Sequence, residues 1–301
     1  MNTKTLKNCP SIINIEELDL KDVVKKKTDK KIQKSISERL DRVKIHRILY
    51  KVGKLKVVGF IVFPKKGKDL PCVLHLRGGS RDFGQITEEK LVYMHSFLAD
   101  NGYVVISTQY PGVDGGDGKD DWGGSDSMAS IKKLKDILNW IPKADTKRIG
   151  VMGHSRGGSM AYMLLREVKW LKVAVIGGAS TDEFKAAKER KGWREHQINV
   201  YGKSKAEQLK RSPIKWVDDL PKKVPMLICH GTSDWRVLAD HSILISKELY
   251  DHKIPHRLII YEGADHGITE FWRHYRREVL DWFDKYLVKD SKLPNMKLHG
   301  F

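Results

Sequence analysis

Ser155, Asp234 and His266 have the side chains that nucleophilic acyl transfer requires, and they occur in the order serine, acid, histidine. Ser155 is the centre of Gly153-His154-Ser155-Arg156-Gly157, which separates the apolar run RIGVMG from the helix-like GSMAYMLLREV. At such a strand–turn–helix junction the serine backbone is strained, and flanking glycines leave room for it. Strain of this kind lifts Oγ above the carboxyl end of a sheet, where open α/β sheets place their ligands. The helix that follows aims its first N–H groups at any oxyanion formed there. A tight turn that merely contains serine accounts for the same five residues, so this stretch leaves both readings open.

A serine hydroxyl needs a base, and the base needs an orienting acid. The strand-like VPMLICHG leads to Asp234 and HRLIIYEG leads to His266, which places both beyond strand ends at the edge that carries Ser155. Their order is that of the α/β-hydrolase fold. His75, His154, His230 and His241 compete for the base; His75 and His230 lie in or at the end of apolar runs, which suits hydrogen-bonded core histidines. Asp240 competes for the acid but reads as a helix N-cap, and Asp265 adjoins the base.

Oxyanion donors are expected at the backbone N–H of Arg156 and, from the glycine-rich RGGSRDFG, of Gly79. A plain turn is the alternative for that loop. Arg77, Arg81, Arg156, Trp122 and Trp235 fall on loops expected around the site, and they suit a substrate with an anionic or aromatic part. The loop YPGVDGGDGKDDWGGSD holds Asp114, Asp117, Asp120, Asp121 and Asp126, without the spacing of a Ca²⁺ loop. Asp126 reads as the N-cap of the next helix. No metal and no cofactor is expected.

From Pro71 onward strand and helix signals alternate, and the strands are continuous apolar runs, as when both faces of a parallel sheet are covered. The expected fold class is α/β, with a mostly parallel central sheet and helices on both faces. A hairpin is expected around Gly53. Residues 1–44 read as a charged helical extension with Ile32, Ile36 and Leu40 at helical spacing, 45–288 as one hydrolase domain, and 289–301 as a tail. Residues 181–222 are polar, helix-prone and strandless, a helical excursion over the site.

The chain has 301 residues, 40% hydrophobic and 31% charged, with a net charge of +18. The basic residues are spread along the chain and mostly broken by acids, and no nucleic-acid-binding motif appears, which argues against a nucleic-acid partner. The densest run, KDVVKKKTDKKIQK, reads as a solvated amphipathic helix or arm. Cys9, Cys72 and Cys229 show no paired spacing and read as structural. No apolar run suits a membrane span and no secretory leader is evident, so a cytoplasmic location away from membranes is expected.

Together GHSRGG, RSPIKWVDDLPKKVPMLICHGTSDWRV, LIIYEGADHG and the helix VLDWFDKYL resemble the catalytic domain of the prolyl oligopeptidase family of serine hydrolases, over about residues 45–288. The resemblance implies an α/β-hydrolase fold with Ser155, Asp234 and His266 as the triad. It is to that domain without the β-propeller that oligopeptidases carry ahead of it. Arg77 occupies the place where several of those enzymes have an oxyanion-donating tyrosine. A carboxylesterase acting on small substrates is therefore the expectation, with a peptidase acting on short peptides as the alternative. A basic binding protein on a hydrolase scaffold is the remote third.

Overall fold

The computed structural model describes residues 5–24 and 29–300, so part of the densest lysine run lies outside the described residues. The chain forms two compact units, Met1–Asp121 with Ser125–Ile149, and Trp122–Gly124 with Gly150–Phe301.

In the first unit β1 (Ile12–Glu17), β2 (Val43–Val52), β3 (Leu55–Pro64), β4 (Leu70–Leu76) and β5 (Val104–Thr108) lie in the order β1-β2-β3-β5-β4. The pairs from β1 to β5 are antiparallel, and β4 runs parallel to β5. The hairpin expected around Gly53 is β2–β3: Val52 pairs with Leu55, and Gly53 takes the positive φ of 57° at the tip. Residues in β5 are buried without alternation, because side chains cover both faces of that strand.

The segment before residue 45 is not purely helical. Helices α1 (Lys21–Val24) and α2 (Lys30–Arg42) are present, but β1 precedes them and pairs with β2. This strand lies at the end of the strand order with mostly exposed side chains, so it lacks the apolar alternation that announces a strand. In α2 Ile36 and Leu40 are buried while Ile32 stays 42% exposed. A helical run made of α3 (Glu88–Lys90), a π turn at Leu91–His95 and α4 (Ser96–Asp100) packs against α2. The Arg42 guanidinium bridges to both Asp100 oxygens at 2.6 and 2.8 Å. The last helix of the unit is α5 (Ser125–Leu138).

Strand β6 (Ala144–His154) begins in the first unit and ends in the second. There it is followed by β7 (Leu171–Gly177), β8 (Met226–Gly231) and β9 (His256–Tyr261), in the order β6-β7-β8-β9. The pairs β7–β8 and β8–β9 are parallel. Crossovers run through α6 (Arg156–Glu167), which is buried along almost its whole length, and through a strandless segment after β7. That segment consists of α7 (Glu183–Glu189), α8 (Trp193–Tyr201), α9 (Lys205–Lys210) and two 3₁₀ turns. The chain then passes α10 (Asp240–Asp251) and, after β9, α11 (Trp272–Phe283).

Among the described residues no helix is long and apolar enough to cross a membrane. The three cysteines are buried and unpaired.

Gly59 shows how tightly β3 meets β5. A Cβ there would stand 2.6 Å from the Ser107 carbonyl oxygen and 3.2 Å from the Tyr50 ring. The neighbours are strand backbone and a buried ring whose hydroxyl is held 2.7 Å from Thr108 Oγ1, so neither can move aside cheaply. Gly59→Ala is expected to destabilise the protein by about 2 kcal/mol through overpacking. Urea unfolding checks this, and a change below about 0.5 kcal/mol would refute it.

Candidate active site

Ser155 stands between β6, which ends at His154, and α6, which begins at Arg156. Its φ of 58° and ψ of −128° are sparsely populated for a residue with a side chain and cost on the order of 1–3 kcal/mol. Several hydrogen bonds hold it there. Its N–H donates to the Gly177 carbonyl at 2.8 Å, and its carbonyl accepts from Gly158 at 2.9 Å and Ser159 at 3.2 Å. The flanking glycines have steric reasons: a Cβ on Gly153 would lie 2.1 Å from the Gly157 carbonyl oxygen, and one on Gly158 2.8 Å from Ala179 Cβ. Serine at such a position usually caps the helix with its hydroxyl. Ser155 makes no capping bond, so its hydroxyl is not committed to holding α6.

Asp234 lies beyond β8 and His266 beyond β9, and their loops are stitched together. Thr232 N–H donates to the Tyr261 carbonyl, Ser233 N–H to that of Ala264, and Gly263 N–H to Thr232 Oγ1, all at 2.8–2.9 Å. A turn built on Asp265, whose Oδ1 accepts from Gly267 and Thr269, sets the backbone around His266. The loops bring His266 Nδ1 to 2.6 Å from Asp234 Oδ2. Asp234 is buried and His266 is 18% exposed in its side chain, so the pair opens toward solvent on the histidine side. Asp234 Oδ1 accepts from Arg236 and Val237 N–H groups at 2.8 and 3.0 Å, and Oδ2 also lies 3.1 Å from His230 Nε2. Burial alone would raise the carboxyl pKa. The bonds from His230 and His266, the charge of His266 and the Val237 N–H outweigh burial and hold it well below the usual carboxylate range.

The rival histidines are all engaged. His75 Nδ1 lies 2.5 Å from His95 Nε2, and His241 contacts Thr181 and Glu189. His230 spans Ser242 Oγ, at 2.6 Å, and Asp234. His154 Nε2 lies 2.5 Å from the His266 carbonyl oxygen, with the two rings edge to face at 5.1 Å. A Cβ built on Gly178 would stand 3.0 Å from His154 Cε1 and 3.5 Å from His266 Cε1. The elbow and the base loop therefore converge on Gly177 and Gly178. Of the rival acids, Asp240 is the first residue of α10 rather than its cap, and Asp265 holds the turn.

Both expected pocket tryptophans take part in aromatic–cation clusters. The Arg156 guanidinium, in a residue only 3% exposed, lies 4.7 Å from the centre of the Trp122 ring. Trp122 meets Trp193 and His196 of α8 edge to face at 5.4 and 5.0 Å. Trp235, 67% exposed, stacks with Arg236 at 4.7 Å and lies 5.9 Å from Arg190. Buried Glu183 anchors α8: Trp193 Nε1, Gln197 Nε2 and Tyr201 OH all lie within 3.2 Å of its Oε2. Burial raises the Glu183 pKa, and these bonds oppose the shift.

The first unit corrects one expectation. Arg77 is 1% exposed and does not present its charge to a pocket. Its guanidinium donates to the carbonyls of Gln109, Gly78, Phe83 and Arg81, so it braces the loop that follows β4. Arg81 is exposed, with its N–H on Asp120. Gly79 has φ 75°, and a Cβ there would fall 2.0 Å from the Phe83 carbonyl oxygen, so closure of this loop explains the glycine. The aspartates of the following loop hold backbone: Asp117 accepts from Lys56, and Asp121, rather than Asp126, caps α5 through Asp126 and Ser127. Among the described residues no group of three His, Cys, Asp or Glu is placed to hold a metal ion.

Sequence reasoning missed Arg190, Trp193 and His196, which come from the strandless excursion. His230 is the buried, hydrogen-bonded core histidine that was expected, and Asp234 is one of its partners.

Burial, and then the charge of His266, lower the His154 pKa to about 4. An unfolded histidine titrates near about 6.5. As pH falls the unfolded chain takes up the proton first, so the stability from neutral His154 is complete above about pH 6.5 and is lost toward pH 4. The loss is at most about 3 kcal/mol. Urea unfolding of wild type and His154→Gln between pH 7.5 and 4 is expected to show the gap between them shrinking as pH falls. A gap independent of pH would refute this.

Comparison with known proteins identifies the family. The model of the prolyl oligopeptidase family matches residues 91–290, about two thirds of the chain. The uncharacterized peptidase YtmA of Bacillus subtilis is 27% identical over 229 residues, which cover 74% of this chain and 86% of that protein. Dipeptidyl-peptidase 5 of Porphyromonas gingivalis is 24% identical over 74% of this chain, which spans only 34% of that protein. Among solved structures, the acylaminoacyl peptidase of Pyrococcus horikoshii superposes with a TM-score of 0.70 at 20% identity, covering 91% of this chain and 45% of that one. That likeness establishes the α/β-hydrolase fold. The protein is a serine hydrolase, and it belongs to the prolyl oligopeptidase family.

Proposed function

We propose that the protein is a serine peptidase that cleaves short peptides through an acyl-enzyme formed on Ser155. The observation that carries this reading is the 2.6 Å Asp234–His266 hydrogen bond on loops stitched beside a strained serine whose hydroxyl caps nothing. In the proposed mechanism ionised Asp234 holds the His266 Nδ1–H, which leaves Nε2 as the base. His266 takes the Ser155 proton as Oγ attacks the acyl carbon. The Arg156 N–H, in the first turn of α6, donates to the oxyanion with the helix dipole behind it. His266 then protonates the leaving amine. Water, activated by the same histidine, hydrolyses the ester and frees the serine.

The named relatives favour the peptidase over the small-ester hydrolase, for they are called peptidases. Nothing specific in them supports an esterase. The clusters around Trp122 and Trp235 suit a substrate with aromatic or charged groups.

A fluorophosphonate probe is expected to label the wild type and leave Ser155→Ala unlabelled. Labelling of both, or of neither, would overturn the assignment. Asp234→Asn is expected to lower kcat by about 10³–10⁴-fold, since it frees the base to adopt the wrong tautomer. A panel of aminoacyl anilides against acyl esters separates peptidase from esterase. Ester turnover without any anilide cleavage would reject the peptidase reading.

A further inference from the structure

Many arginines of this protein face a carboxylate. Arg42 pairs with Asp100, Arg148 with Asp145, Arg166 with Asp219, and Arg257 with Glu278. Arg190 has no such partner among the described residues. It directly follows α7, is half-buried, and lies 4.7 Å from the Trp193 ring and 5.9 Å from the Trp235 ring. Burial, and then the like charge of Arg236, work against its protonated form, with Asp234 opposing them.

These four side chains border an open cavity of about 40 Å³ beside the triad acid. The acidic residues nearby are already engaged. Glu189 binds Lys185 and His241, and Asp234 binds His266, His230 and two N–H groups. Arg190, partly desolvated against indoles and without an acid partner among the described residues, borders a cavity that Arg236 also lines, an arrangement that an anion would stabilise. Arginine's planar fork fits a carboxylate in particular, through paired charge-assisted hydrogen bonds. Lysine would lack that fork.

We infer that Arg190, walled by Trp193 and Trp235 and flanked by Arg236, is a subsite for a carboxylate carried by the substrate. The inference rests on the peptidase reading for its choice of substrate, but binding tests it separately. The carboxylate can be an acidic side chain or a free chain end, and the test distinguishes them.

Binding to full-length Ser155→Ala, followed by tryptophan fluorescence, uses two peptide pairs. The first is acetyl-Ala-Ala-Glu-amide against its Gln analogue; the second is acetyl-Ala-Ala-Ala with a free against an amidated end. The acid of at least one pair is expected to bind about tenfold more tightly, and the pair that shows this names the source. Adding Arg190→Gln is expected to reduce that preference to about twofold or less, with Arg190→Lys keeping an intermediate preference. Equal binding within both pairs, or a preference that survives Arg190→Gln, would overturn the subsite. A preference for acid in binding with no cleavage of any peptide by the wild type would support the subsite and reject the peptidase reading.

Discussion

The candidate site depends on one buried carboxylate. Asp234 Oδ2 lies within hydrogen-bonding distance of two histidines, and Oδ1 receives two backbone N–H groups. An ionised carboxylate only accepts, so both histidines must present N–H to it. For His266 this puts a proton on Nδ1. For His230 it puts a proton on Nε2, while Nδ1 lies 2.6 Å from the Ser242 hydroxyl. Ser242 belongs to α10, and the acid is thereby tied to a helix as well as to its loop. The orientation of His266 is thus set by contacts that reach well beyond the pair itself.

A second support comes from the elbow. His154, adjacent to Ser155, is neutral and donates Nε2–H to the His266 carbonyl. His266 is consequently held at its ring by Asp234 and at its backbone by the residue preceding Ser155. Gly177 links the same parts, because its carbonyl receives the Ser155 N–H and a Cβ on it would lie 2.5 Å from His154 Nδ1. The strain stored at Ser155 is balanced by this dense local bonding and by burial of α6, rather than by any bond from its own side chain.

What could be read in the sequence follows from where each residue lies relative to a strand end. Ser155, Asp234 and His266 each follow an apolar run, and parallel strands deliver their carboxyl ends to one edge, so linear order conveys spatial neighbourhood. The Trp122–Trp193 contact has no such cue. It joins a glycine-rich loop to a helix in a segment without strands, and only packing decides which faces meet. Arg77 was misread because an arginine beside two glycines suggests an exposed turn, whereas the turn's own carbonyls converge on it. Strand β1 escaped notice because exposed residues pair through the backbone without leaving an apolar pattern.

The arginines around the site show why residue type alone is a weak guide to role. Arg77 and Arg156 were equivalent as candidates for meeting an anion, and Arg190, which was not among them, carries the same side chain. Arg77 is buried with its donors on carbonyls, which makes it a strut. Arg156 is buried with its face against Trp122, so its side chain stiffens a wall while its backbone remains with the first turn of α6. Arg190 also has indoles against its faces, but it borders open space. Stacking occupies the faces of a guanidinium and leaves its in-plane N–H groups to other partners. A stacked arginine beside a cavity is therefore oriented for binding before any ligand arrives, and less side-chain entropy is lost when one does.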